Sequence, residues 1–307
     1  MKKIILIMML ALGLLAFSGC SKDEEAQEPA GETENEAAQQ ESAAGEAEIM
    51  GSFDKLLSGE YEEKDIIAFA DENIDMLSPE NTSNVILKLE EAQRTMQEKR
   101  MSELFEGDIQ QKFMTQLQKS VIYSAGDVND EELKEIVQEM TDNGYFLMMM
   151  EGDFYPVINY EAYKKYSKNA TDDIKAYVDI VADEYSEFAS MDAHLAVSRD
   201  ELLERIFRSE DFLEKYSDSQ KFDEIKELYS QYAGFYLYGM SFEPPEDKLS
   251  KDAMESYEKA VKTQKDSNFI KHFKGYYETV KSEGYKRTEK VEKERQDTLG
   301  GIMEKYN

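Results

Sequence analysis

The chain has 307 residues with 36 Lys and Arg against 66 Asp and Glu, a formal net charge of -30, whereas a protein that grips nucleic acid through its phosphates needs the opposite balance. Nucleic acid is therefore excluded as a partner. A hydrophobic share of 41% with 11% aromatics separates the chain from acidic disordered polymers, because it supplies enough apolar mass for a core. One Cys rules out a disulfide framework, and two His leave little room for zinc chemistry.

Lys2 and Lys3 precede an apolar run over residues 4–17, which ends at Ser18-Gly19-Cys20. This is the layout of a secretory signal, shorter than the roughly 20 apolar residues that a membrane-spanning helix needs. Leu15-Ala16-Phe17-Ser18-Gly19-Cys20 resembles the lipobox of bacterial lipoproteins, where the cysteine becomes the lipidated first residue of the mature chain. The resemblance implies a leader over residues 1–19, lipidation at Cys20, and an extracytoplasmic protein anchored to the cell membrane. Acyl chains hold by about 0.8 kcal/mol per buried methylene, so several together retain a protein on a bilayer. Residues 21–48 carry ten acidic residues, one Lys, and Ala as their only hydrophobic type. Residues 20–48 are expected to be the lipidated Cys and a disordered acidic tether.

From residue 49 onward helix signals dominate, and an N-terminal helical region is expected over 49–144. Ser78-Pro79 reads as an N-cap with Pro at the first helical position, followed by an apolar-periodic run over 85–117 interrupted near Gly107. Asn129-Asp130 precedes EELKEIVQEM, which Gly144 closes. A short hairpin is expected over residues 145–160, where FLMMM, Gly152-Asp153 and FYPVINY meet. Thr171-Asp172-Asp173 opens a helix with Ile174, Tyr177, Val178 and Val181 on one face, and Ser198 to Glu201 have capping-box spacing before Leu202, Leu203, Ile206 and Phe207. Ser219 and Ser267 read as further caps, Gly239 and Gly284 as glycines after helix ends.

A weak internal repeat relates FLEKYSDS at Phe212 with Ile225, Leu228 and Tyr229 to AVKTQKDS at Ala260 with Phe273, Tyr276 and Tyr277. A third copy starts at Tyr163. Each unit would be a helix, a Ser/Asp turn and a returning helix. Over roughly residues 160–285 this resembles the helical hairpins of tetratricopeptide proteins, which implies an all-α fold of irregularly stacked hairpins, and a helical-hairpin repeat region is expected over residues 145–307. EGDFYPVINYEAYKKYS and SRDELLERI also resemble surface lipoproteins without an assigned activity. Residues 251–307 hold 13 basic and 11 acidic residues, so the acid lies earlier, and YKRTEKVEKER reads as a solvated mixed-charge helix.

No nucleophile elbow, phosphate loop, dinucleotide fingerprint, zinc helix or calcium loop is present. His194, beside Asp192, reads as structural ahead of general base, and Glu151, Asp153 and Glu161 are the carboxylates best placed for hydrolysis. Met148-Met149-Met150 reads as packing ahead of soft-metal binding. Tyr155, Tyr160, Tyr229, Tyr232 and Tyr236 form the candidate ligand or partner surface, since tyrosine offers an apolar body with a polar tip. The expectation is a membrane-anchored, non-catalytic interaction or scaffold protein with a protein partner in the cell envelope and no metal or cofactor. Binding of a small ligand or glycan fragment is the alternative, and an envelope hydrolase ranks below both.

Overall fold

The computed structural model describes residues 32–116, 119–191, 194–238, 241–243 and 246–307, with side chains from residue 43 onward. The chain divides into Met1–Gly45 and a compact unit, Glu46–Asn307. Helix α1, Glu32–Leu57, runs through the second half of the stretch expected as tether. Ala, Glu and Gln are good helix formers but offer no apolar face, and among residues 43–48 the contact to the body is polar, Glu46 accepting from the Ser78 amide at 2.6 Å and from Asn81 at 2.7 Å. Cys20, the expected leader over residues 1–19 and residues 21–31 lie outside the described residues. No described helix is long and apolar enough to cross a membrane.

The compact unit is all-α apart from short strands. After α2 (Glu63–Asn73), the long helix α3 (Pro79–Leu104) starts where Ser78 accepts a hydrogen bond from the Asn81 amide, with Pro79 at its first position. The expected interruption falls at Gly107, φ 55°, before α4 (Ile109–Gln116). Asp130 caps α5 (Glu131–Asp142), and Gly144, φ 81°, turns the chain into the sheet.

The hairpin expected over 145–160 is β2 (Tyr145–Met150) with β3 (Asp153–Ile158), joined by Glu151 and Gly152, both at positive φ. That pair of left-handed residues matches the twist of a two-residue hairpin. A third strand, β1 (Val121–Ile122), adds antiparallel to β2, with Val121 opposite Met148. Two residues are too few for an alternation to be read from sequence.

The second half is built from helical pairs: α6 (Tyr160–Ser167) with α7 (Asp172–Ser186), α8 (Arg199–Lys215) with α9 (Phe222–Tyr238), and α10 (Lys251–Lys262) followed by α11 (Asn268–Ser282) and α12 (Glu289–Glu304). Two-residue ladders β4–β5 (Ser190–Met191, His194–Leu195) and β6–β7 (Phe242–Glu243, Lys248–Leu249) lie in the connections. The repeat maps α8–α9 onto α10–α11, but α11 packs more extensively on α12, while α10 leans on α8 as well. Ser267 caps α11 as expected, and Gly284, φ 65°, ends it. Ser219 sits in the turn before α9, where its hydroxyl donates to Asp173 at 2.7 Å and accepts from the Lys221 amide at 3.2 Å. Gly239 lies outside the described residues. The boundary expected at residue 144 falls inside the compact unit, whose core runs from Phe53 to Tyr306 without a break.

Candidate functional site

The aromatic candidates separate into two groups. Tyr160, Tyr229, Tyr232 and Tyr236 are each at most 1% exposed, so they form no open wall. Each has apolar neighbours around its ring, and each hydroxyl, which cannot be buried alone without cost, has a fixed partner. Tyr229 donates to Glu210, Tyr232 to Glu184 and Tyr160 to Glu90, while Tyr236 pairs with Ser256. Tyr145 to Glu63, Tyr166 to Asp71 and Tyr306 to Glu214 repeat the pattern. The tyrosine-rich, tryptophan-free composition thus serves a core in which helix faces are locked by phenol–carboxylate bonds.

The densest of these locks lies on α3. Glu63, Glu90, Gln93 and Arg100 are all within 1% of full burial. Glu90 accepts from Tyr160 at 2.7 Å, from Tyr177, from Arg94 Nη2 at 2.7 Å, and from Lys221 at 2.5 Å. Burial would raise its pKa, yet Lys221 and Arg94 outweigh burial and hold the carboxyl below the usual glutamate range. Its Oε1 takes Tyr160, Tyr177 and Arg94 and its Oε2 takes Lys221, so Glu90 is held as a strut between helices. Further along the helix, Arg100 forms a bidentate pair with Glu63, and Tyr163 donates to Gln93. Sequence reasoning passed over this seam. Its signal was present: Glu90, Gln93, Gln97 and Arg100 continue the helical stripe begun by Ile86 and Leu89, which places polar groups where the core face must run.

The remaining candidates do not come together. Glu161 is engaged by Lys164 on its own helix, whereas Glu151 and Asp153 sit at the hairpin turn. Met148, Met149 and Met150 alternate between sheet faces, so adjacent thioethers point apart. His272 packs over Gly301, where an added Cβ would stand 2.6 Å from Nδ1. His194 lines a cavity of about 440 Å³ with Arg199, Asp200, Asp252 and Lys259. Its charges answer one another, with Lys259 on Asp200 at 2.6 Å and Arg199 on Asp252 at 2.8 Å. Asp192 lies outside the described residues.

Tyr155 differs from the other four. It is partly buried on the outer face of the sheet, on the side away from the core that Tyr145, Leu147, Phe154 and Ile158 join. The register pairs Phe146 with Val157, Met148 with Tyr155, and Met150 with Asp153, and directly opposed residues share a face. Phe146, Met148 and Val157 are buried as a separate cluster edged by Val121, Met150, Tyr185 and Phe188. The Tyr123 ring stacks on Phe146 at 5.0 Å while remaining 55% exposed. At the other end Phe105, 45% exposed, meets Tyr155 at 5.5 Å. Met101 lies one helical turn before Phe105 and is 37% exposed. The apolar stripe from Tyr123 to Met101 is thus covered in its middle, at Phe146, Met148 and Val157, and exposed at its two ends.

The free edge of β3 is closed by side chains. Gln110 donates to Phe154 O at 2.9 Å and accepts from Phe154 N at 2.8 Å, and Gln97 donates to Pro156 O at 3.0 Å. With its edge satisfied in this way the hairpin does not invite an added strand, and what it offers is the face. No protein family, curated protein or solved structure matches this chain.

Proposed function

We propose that the protein is a lipid-anchored, extracytoplasmic interaction module, held at the membrane through Cys20 and engaging a protein partner of the cell envelope without turnover. The observation that carries this reading is the exposed apolar end of the outer sheet face, where Phe105 (45% exposed) and Met101 (37%) on α3 and its end meet Tyr155 of β3. Large apolar side chains left exposed next to one another, as Phe105 and Met101 are, mark an interaction site more often than chance. The phenol–carboxylate locks behind it support the reading, since they hold the presenting elements in one geometry.

Anchoring and binding are tested separately. Cys20→Ser is expected to move the chain from the membrane fraction to the soluble fraction, and a variant that stays membrane-bound would refute lipid attachment. Isolation of the full chain from intact envelopes is expected to recover a partner that a tether-only control lacks. That partner is lost from the Phe105→Ser/Tyr155→Ser variant. Recovery of the same partner by the double variant would refute the outer sheet face as the contact.

A further inference from the structure

The stripe is rimmed by acid that nothing in the described chain neutralises. Asp153 stands opposite Met150 in the ladder and so shares the outer face with Met148 and Tyr155. Glu151 follows Met150 in the exposed hairpin turn. On α3, Glu98 lies three residues before Met101 and seven before Phe105, which places all three on one helix face. Glu106 follows Phe105 directly and is exposed. None of these four carboxylates has an ion-pair partner among the described residues. The lysines that flank the stripe in sequence are occupied, Lys99 by Glu103 and Lys119 by Asp127. Unpaired carboxylates are common on this acidic chain; what sets these four apart is their place, around the exposed aromatic end at Phe105 and Tyr155.

From this we infer that the outer sheet face docks a cationic amphipathic polypeptide segment, with apolar side chains laid on Phe105, Tyr155 and Met150 and lysine or arginine side chains answering Glu98, Glu106, Glu151 and Asp153. The inference rests on the interaction-module reading and adds the chemistry of the partner. Complementary charge raises the association rate and rejects wrong partners, while the apolar contact supplies most of the affinity. An anionic bilayer surface is disfavoured by the same rim, because the carboxylates would face lipid phosphate. A second copy of the chain is disfavoured too, since two such faces would bring like charges together. Docking is by side chains, since Gln97 and Gln110 already occupy the outward backbone groups of β3.

The test uses three fluorescein-labelled nonapeptides, in which leucine alternates with lysine, with glutamate or with serine, titrated into the full chain and read by anisotropy. The lysine peptide is expected to bind and the glutamate peptide to fail. Phe105→Ser/Tyr155→Ser and Glu98→Gln/Glu151→Gln/Asp153→Asn are each expected to weaken the lysine peptide by about tenfold, the second also flattening its salt dependence. Equal binding of the serine peptide, lost in the aromatic variant, would overturn the charge assignment and leave the interaction surface standing. Lysine-peptide binding untouched by either variant would overturn the site itself. Preferential binding to vesicles of anionic lipid, or self-association abolished by Phe105→Ser/Tyr155→Ser, would each overturn the assigned partner.

Discussion

Glu90 of α3 and Lys221 of the turn before α9 meet at 2.5 Å although 131 positions separate them in the chain, and Tyr160 and Tyr177 close on the same carboxylate from α6 and α7. One charge thereby ties four helical elements. Removing a partner from such a group leaves an uncompensated buried charge, which is costlier than the pair was worth. Glu90→Gln is expected to lower unfolding free energy by about 3 kcal/mol. Lys221→Met should cost about half of that, because Arg94 and both phenols remain on Glu90. Urea unfolding of the two single variants and the double variant measures the coupling.

The same site sets an acid limit. Glu90 titrates below the usual glutamate range in the folded chain, so its contribution is full above the unfolded value of about 4.3 and is lost as pH falls through the lower folded value. Glu184 has the opposite sign: burial, partly opposed by Tyr232, the Ala189 amide and Arg205, raises it. Its protonation on going from neutral pH toward 4.3 therefore adds stability. Urea midpoints against pH are expected to show Glu90→Gln removing much of the steep acid loss. Glu184→Gln should instead remove a shallow gain at mildly acid pH.

The chain entry to the hairpin is predicted to be intolerant at one glycine and forgiving at the other. At Gly144, φ 81°, an added Cβ would fall 2.2 Å from Gln93 Nε2, the group that donates to Asn143 O. Gly144→Ala combines left-handed backbone strain with displacement of a buried hydrogen-bonded amide, for a cost of about 3 kcal/mol. Gly152, φ 96°, has open space around it, so Gly152→Ala carries only the backbone term, about 1 kcal/mol. Chemical denaturation of both variants separates the two causes.

Glu210 of α8 reaches the start of α11, accepting from Ser267 Oγ at 2.8 Å, from the Asn268 amide and from Phe269 N at 3.3 Å. A negative group at a helix N-terminus satisfies orphan amides and complements the dipole. Glu210→Ala is expected to cost about 3 kcal/mol and to speed amide exchange at residues 268–270 ahead of the rest of α11. Tyr229→Phe, which removes only the 3.4 Å bond to the same carboxylate, should cost about 1 kcal/mol.

Caps and punctuation made most of the helix order legible. Ser78-Pro79, Asp130, Ser198 and Ser267 each cap the helix expected of them, because a cap is a local hydrogen bond. The hairpin at Glu151-Gly152 was legible for the same reason. What sequence could not show was the fate of the aromatics. A tyrosine at helical spacing looks alike whether its hydroxyl meets water or a carboxylate 48 residues away, as Tyr232 meets Glu184. Only Tyr155, whose face is decided by strand register against Met148, stayed at the surface. The seam of Glu90, Gln93 and Arg100 was missed because a polar residue on an apolar stripe looks like an interruption until its partners from α2, α6 and α7 are in place.

That division between locking and presenting tyrosines is itself testable by stability. Tyr232→Ala removes a buried ring and leaves Glu184 short of a donor, for a loss of about 4 kcal/mol. Tyr155→Ser, on a partly buried site at the surface, should cost about 1 kcal/mol. Thermal unfolding of the two variants compares them directly.

The most direct measurement of the central claim is photo-crosslinking in intact cells from a benzoylphenylalanine placed at residue 155, with the same probe at Tyr238 as the exposed control on another part of the surface. The account predicts a discrete polypeptide adduct from position 155 that position 238 does not give, carrying a basic amphipathic segment at the crosslinked site. No adduct from 155, or the same adducts from both positions, would contradict it.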